Sequence, residues 1–142
     1  MEASTQLIQP VVALVMWSAV MWVWMYATRI PAIFAMKLEM DSDAPSGVQM
    51  SLLPPKVRWK ADNYNHLMEQ PTVFYAIVLS LVFLGANSEL SIYAAWTYVG
   101  LRVVHSLLQA LVNKIELRFA IFFLSNVPLA VLTFNAAVAA FS

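Results

Sequence analysis

The chain has 142 residues, 61% of them hydrophobic and 11% charged, with a mean hydropathy of +0.71 and eight basic side chains balancing eight acidic ones. Soluble domains are nearer half apolar and about a quarter charged, so this balance is that of a membrane protein. There is no basic tract to hold a nucleic acid, and with no cysteine there are no disulfides, thiolate metal sites or cysteine nucleophiles.

Four apolar blocks, at approximately 7–28, 66–86, 90–112 and 119–141, predict an all-α, integral membrane four-helix bundle forming a single domain over 1–142. Each block meets the ~20 residues that cross a hydrocarbon core. Backbone in lipid must satisfy its own hydrogen bonds, which makes each block a helix, and the alternation of a membrane barrel is absent. The first block has no charge from Leu7 to Tyr26 and holds Trp17, Trp22 and Trp24. It lacks a basic leader and is long, so it reads as a retained span and not a cleaved signal. Pro10 falls in its first turns, where a missing N–H costs little, and Pro31 is expected to kink or end the helix. A long loop over 37–58 follows, rich in Asp, Ser, Pro and Gly. "GANSE" and "NKIEL" are short turns after the second and third blocks, so the last three helices run up and down as antiparallel neighbours.

Basic residues set an orientation. Arg29, Lys37, Lys56, Arg58 and Lys60 flank or occupy the first loop, Lys114 and Arg118 flank the third, and the termini and second loop have none. The positive-inside rule places loops one and three in the cytoplasm and both termini outside, and the expected home is a bacterial inner membrane. Charges at membrane depth face the bundle interior and need partners. On the second helix Asp62, His66, Glu69 and Val73 share a face, with Asn65 beside it; on the third, Arg102, His105 and Gln109 share one. The second helix enters from the side where the third leaves, so Glu69 and Arg102 reach similar depth and are the natural ion pair. That pair reads either as a staple between helices or as the wall of a polar ligand cavity. His105 reads as an interior hydrogen-bonding residue or a ligand contact, and Arg118 as a surface anchor or a site residue. Pro71 predicts a kink, and the tryptophans an interface belt or packing. No metal-binding motif accompanies His66, Glu69 and His105, so no metal site is assigned.

The run "NHLMEQPTVFYA", with "YVGLRVVHSLLQALVNKIELRFAIFFLSNVPLAV" after it, resembles the MAPEG family, the membrane-associated proteins in eicosanoid and glutathione metabolism. The second-helix run is most similar to the family's uncharacterised bacterial branch. The resemblance spans the four-helix plan and implies a homotrimer with glutathione bound between protomers near the cytoplasmic side. It implies that Glu69 holds glutathione's polar end together with His66, Asn65 and Arg102. His105 would orient Arg102 or a ligand group, and Arg118 would stabilise the thiolate; a nearby guanidinium lowers a thiol pKa. Where the family's glutathione users carry Arg-Asn ahead of the glutamate, this chain has Asn65 and His66, and a further arginine position holds Asp62. Gln109, Phe119 and Phe122 stand where the family often has Tyr, Ser and Tyr. The expected activity is a glutathione- or thiol-dependent transferase or peroxidase acting on a lipophilic small molecule among membrane lipids. The alternative is a non-catalytic membrane scaffold or lipid-binding trimer of the same fold.

Overall fold

The computed structural model describes residues 2–142, and among these the chain is helical with no strand. Helix α1 spans Glu2–Ala35, α2 Pro55–Leu67, α3 Gln70–Phe83, α4 Glu89–Leu111 and α5 Ile115–Phe141. Between α1 and α2 lies a long loop whose only helical piece is a 3-10 turn at Met50–Leu52. α1 starts five residues before the first apolar block and continues past Pro31, so that proline does not end it. Pro10 lies well inside α1 and not in its first turns. It is buried, on the same stripe as Leu7, Leu14, Ser18, Met21 and Met25. Spacings of three and four residues keep this stripe on one face.

The second apolar block is two helices. Pro71 has no N–H to give the Leu67 carbonyl, and its ring crowds that carbonyl. α2 therefore ends at Leu67, the chain turns through Met68 and Glu69 (φ −89°, ψ −97°), and α3 restarts at Gln70 with proline in its first turn. The predicted kink is a break. α3 ends on Gly85, whose φ of +68° is the left-handed conformation that glycine adopts without strain. The Ala86 N–H then reaches back to the Leu81 carbonyl at 3.0 Å, closing the helix end. Ser88 caps α4 by accepting the Ser91 N–H at 3.2 Å. At its far end Asn113 takes the left-handed role (φ 55°) and its N–H meets the Leu108 carbonyl at 2.7 Å.

The elements lie antiparallel. Asn87 Nδ2 donates to Ser4 Oγ at 2.8 Å, bringing the start of α1 to the α3–α4 turn. Lys60 Nζ donates to the Ala110 carbonyl at 3.3 Å, bringing the start of α2 to the end of α4. The bundle thus has a loop end, with the long loop and the α4–α5 turn, and a terminal end. Seven of the eight basic residues, all but Arg102, lie toward the loop end.

The distribution of polarity is that of a protein in lipid. Val12, Met16, Val20, Phe83, Phe123, Phe134 and Phe141 are exposed, while Asn63, Ser91, Arg102, His105, Ser106 and Gln109 are buried. Three helical stretches, Glu2–Ala35, Pro55–Phe83 and Ile115–Phe141, are long and apolar enough to cross a membrane. α4 is not among them, which departs from the expectation of four comparably apolar crossings. Its 23 residues suffice in length, but the inward polar groups lower its apolarity. It packs against α1, α2 and α5 and is the polar spine of the bundle.

Trp17 and Trp24 are turned to use inside the fold. Trp17 Nε1 donates to Ser106 Oγ at 3.0 Å, and Asn63 Nδ2 donates to the same oxygen at 2.7 Å, tying α1, α2 and α4 together. Lys60 Nζ lies 5.2 Å from the Trp24 ring centroid. Interhelical hydrogen bonds in lipid contribute about 0.6–2 kcal/mol each. Ser106→Ala removes the shared acceptor and leaves two donors unpaired, so unfolding in mixed micelles should show a loss of about 1–2 kcal/mol. A change within error would mean that this junction does not hold the three helices.

Candidate functional site

The site forms where α2 breaks. Where α2 ends, the His66 carbonyl accepts the Glu69 N–H at 3.4 Å in the closing turn, and Arg102 Nη2 donates to it as well at 3.2 Å. The same Nη2 lies 3.2 Å from His66 Nδ1. A guanidinium has no lone pair to offer, so Nδ1 accepts and the ring N–H sits on Nε2. Nε2 points toward Glu69 Oε2 at 3.9 Å. The Arg102 side chain is fully buried, and its cation lies 5.8 Å from the Phe122 ring centroid, within cation–π range. A cation at the C-terminal end of α2 also meets the negative end of that helix's dipole.

His105, one turn after Arg102 on α4, stacks on His66 with centroids 5.1 Å apart and planes at 18°. Phe122 meets the His66 ring edge-on at 5.6 Å. Arg118, in the first turn of α5, hydrogen-bonds through Nη1 to the Asn113 side chain, which holds it over the α4–α5 turn. His66, His105, Arg118, Ile115, Phe119 and Phe122 line one open cavity of about 290 Å³. No carboxylate lines it. Arg102 Nε and Nη1, His105 Nδ1 and Arg118 Nε are buried without a partner. The arrangement offers a cationic, donor-rich wall facing an apolar rim of Ile115, Phe119 and Phe122, of which Phe119 is 66% exposed.

Of the residues singled out in the sequence, His66, His105 and Arg118 meet in this cavity, and Arg102 stands directly behind it. The ion pair between Glu69 and Arg102 is not formed. The break at Met68 takes Glu69 off the α2 face, its side chain is 68% exposed, and its nearest basic group is His66. Asp62, His66, Glu69 and Val73 therefore do not make one continuous face. Asn65 lies apart as well, lining a separate pocket with Arg29 and Arg58. Gln109 is buried, with its Oε1 unpartnered. Two contributors were not legible as such. Phe122 stands out in the sequence only as a phenylalanine where the family often has a tyrosine, and the fold sets its ring beside Arg102 and His66. Asn113 carried a faint signal: an asparagine ending one helix five residues before an arginine opening the next. No cluster of metal-ligating residues occurs among the described residues.

A model of the MAPEG family matches residues 7–138, nearly the whole chain. The chain belongs to the MAPEG family. No curated protein and no solved structure matches it. In this MAPEG protein Glu69, in the α2–α3 break, and Arg102, on α4, do not touch, and His66 contacts both. Arg102→Met should therefore cost about 1–3 kcal/mol in micellar unfolding, because His66 Nδ1 loses its donor and the His66 carbonyl keeps only the Glu69 N–H at 3.4 Å in a water-poor interior. Glu69→Gln should change stability by less than about 0.5 kcal/mol, as exposed groups do. The reverse ranking would restore Glu69 as the staple.

Proposed function

We propose that this MAPEG membrane protein is a thiol-dependent enzyme, a glutathione transferase or peroxidase acting on lipophilic electrophiles. It works as a homotrimer in which α4 also crosses the membrane. The observation that carries the reading is the cavity itself: Arg118 and two histidines on one wall, an apolar rim on the other, and no carboxylate between them. A thiol entering there loses its proton readily, because the Arg118 guanidinium stabilises the sulfur anion and lowers the thiol pKa. The proton passes to water at the open cavity; the sulfur then bonds the electrophilic atom of a substrate held against Ile115, Phe119 and Phe122, and the displaced group leaves with the pair of the broken bond, a carbon-bound leaving group in transfer or the alkoxide of a hydroperoxide in reduction. Asn113 is the positioning residue for Arg118.

The donor set fits the thiol end of glutathione: Arg118 Nε and His105 Nδ1 are buried donors or acceptors without partners. His66 and Arg102 shape the wall behind it. The exposed Glu69 supplies a carboxylate for an ammonium group at the rim. Asn65 is turned away from this cavity, so its binding role belongs to a site completed between protomers. The loop end faces the cytoplasm of a bacterial inner membrane, as the concentration of seven basic residues there supports.

A second reading has its own observation in favour. Arg102 bonds to α2 backbone and to His66, which is what a non-catalytic scaffold needs from it. Two measurements separate the readings. Glutathione added to purified protein near neutral pH should give thiolate absorbance, and Arg118→Ala should reduce the thiolate fraction about tenfold or more, one pKa unit or about 1.4 kcal/mol, with the oligomer intact. Absence of binding at millimolar glutathione overturns the thiol-enzyme reading, and disruption of the oligomer by Arg118→Ala makes Arg118 structural. Glu69→Gln should weaken glutathione binding while leaving the fold unchanged.

A further inference from the structure

The His66 ring faces the cavity with its chemistry already set by the groups behind it. Arg102 Nη2 meets Nδ1 at 3.2 Å and can only donate, so Nδ1 keeps its lone pair and the single ring proton sits on Nε2. The same Nη2 donates to the His66 carbonyl at 3.2 Å, so one buried guanidinium fixes both the backbone and the ring of this residue. While that bond stands, Nδ1 has no room for a second proton. His105 stacks on the ring at 5.1 Å, and Phe122 meets it edge-on at 5.6 Å. The direction of Nε2–H is thereby held as well as its identity.

This N–H is unspent. Glu69 Oε2 stands 3.9 Å from Nε2, too far to accept it, on a side chain turned out to solvent. The His66 side chain is itself 27% exposed and lines the cavity with Arg118, in a wall that holds no carboxylate. A fixed neutral donor beside a cation suits an oxygen that gains negative charge during a reaction. Among the groups that a thiolate displaces, a halide leaves without such help. The oxygen displaced from a hydroperoxide leaves as an alkoxide, a far stronger base, and gains most from a donor already in place.

Resting on the thiol-enzyme reading, we propose that His66 Nε2–H is a catalytic hydrogen-bond donor for the reduction of an organic hydroperoxide, with Arg102 the positioning residue that fixes its tautomer. The glutathione sulfur beside Arg118 attacks the terminal peroxide oxygen. The S–O bond forms, the O–O bond breaks, and its electron pair leaves on the carbon-bound oxygen. His66 Nε2–H bonds that oxygen as its charge develops, and cavity water supplies the proton that makes the alcohol. The hydroxide left behind recombines with the proton that the thiol gave to water. The sulfenic acid formed on glutathione is resolved by a second glutathione, giving the disulfide and water. Sulfur is oxidised as the peroxide is reduced, so no other reductant enters. The hydrocarbon end of the substrate lies against Ile115, Phe119 and Phe122.

Two measurements on the full-length protein in micelles test this. The first is nitrogen-15 NMR of histidine-labelled protein without glutathione. His66 should show the Nε2–H tautomer near neutral pH, and Arg102→Met should let the Nδ1–H form appear. An Nδ1–H or doubly protonated His66 in the wild type overturns the proposal, as does a ring unchanged by Arg102→Met. The second is the rate at which the thiolate absorbance of bound glutathione decays on mixing with cumene hydroperoxide, divided by the rate with hexyl iodide. Any loss of bound thiolate affects both rates and cancels in the ratio. His66→Phe should lower the ratio about 10²-fold, and His66→Gln, which keeps a side-chain N–H, should hold it within about threefold of the wild type. His66→Glu has the shape of His66→Gln and still offers Arg102 an acceptor, but lacks the N–H. It takes the place of His66→Phe if that variant loses its helical circular dichroism, with the same fall expected. A ratio unchanged by loss of the N–H overturns the proposal, as does a wild-type thiolate that hexyl iodide consumes and cumene hydroperoxide does not. A wild type that forms no thiolate at all overturns the thiol-enzyme reading, and this proposal with it.

Discussion

The architecture turns on one buried cation. Arg102 sits with no exposed surface in the centre of a helix bundle whose outside is apolar. An arginine at mid-helix in a membrane costs about 3 kcal/mol on insertion scales. Its compensation comes from the neighbours it organises. A charge-assisted hydrogen bond to the His66 carbonyl contributes about 1.5–3 kcal/mol, and a desolvated ring such as Phe122 about 2 kcal/mol. The two sides are of similar size, so Arg102 stays inside only while α2 is broken, His66 presents Nδ1, and α5 keeps Phe122 beside it. Each of these three conditions fixes a different element.

The break in α2–α3 is therefore both a defect and a fitting. Pro71 makes it unavoidable by withholding an N–H from Leu67. Arg102 reinforces it by adding a charged donor to the His66 carbonyl, which the Glu69 N–H meets only at 3.4 Å. In lipid, where an unanswered carbonyl is expensive, the proline and the arginine belong to one device spread over two helices. A little deeper the same logic recurs without charge: Tyr98 donates to Gln70 Oε1 at 3.2 Å, and Gln70 Nε2 donates to Asn126 Oδ1 at 2.6 Å. The first residue of α3 is thus moored to α4 and α5, and the ends of the break are held on both sides.

Chemistry follows from where this device leaves free valence. Arg102 spends its Nη2 on His66 and keeps Nε and Nη1 unpartnered. Arg118 is held by Asn113 at the rim, with its Nε free inside. The two stacked imidazoles close the gap between them. The cavity thus carries a surplus of positive charge and donors beside the exposed Phe119, and these are the features on which the proposed thiol chemistry rests.

Much was legible in the chain alone, because composition, apolar block length and helix breakers act locally. An all-helical membrane protein, a long first loop, the interruption near Pro71 and the family itself were readable from "NHLMEQPTVFYA" onward. Helical spacing also put Arg102 and His105 on one inward face. The partners of those residues were not readable. Charge alone matched Arg102 with Glu69, whereas the fold matched it with a carbonyl and an imidazole. The reason is that Pro71 changes the direction of everything after Met68: a periodicity argument carries Glu69 along the α2 face, and the broken backbone carries it out to the surface. Residue type determined that a buried arginine must be answered. Only the tertiary structure decided by what, since the answer came from a backbone group and an aromatic ring that no sequence pattern distinguishes from their neighbours.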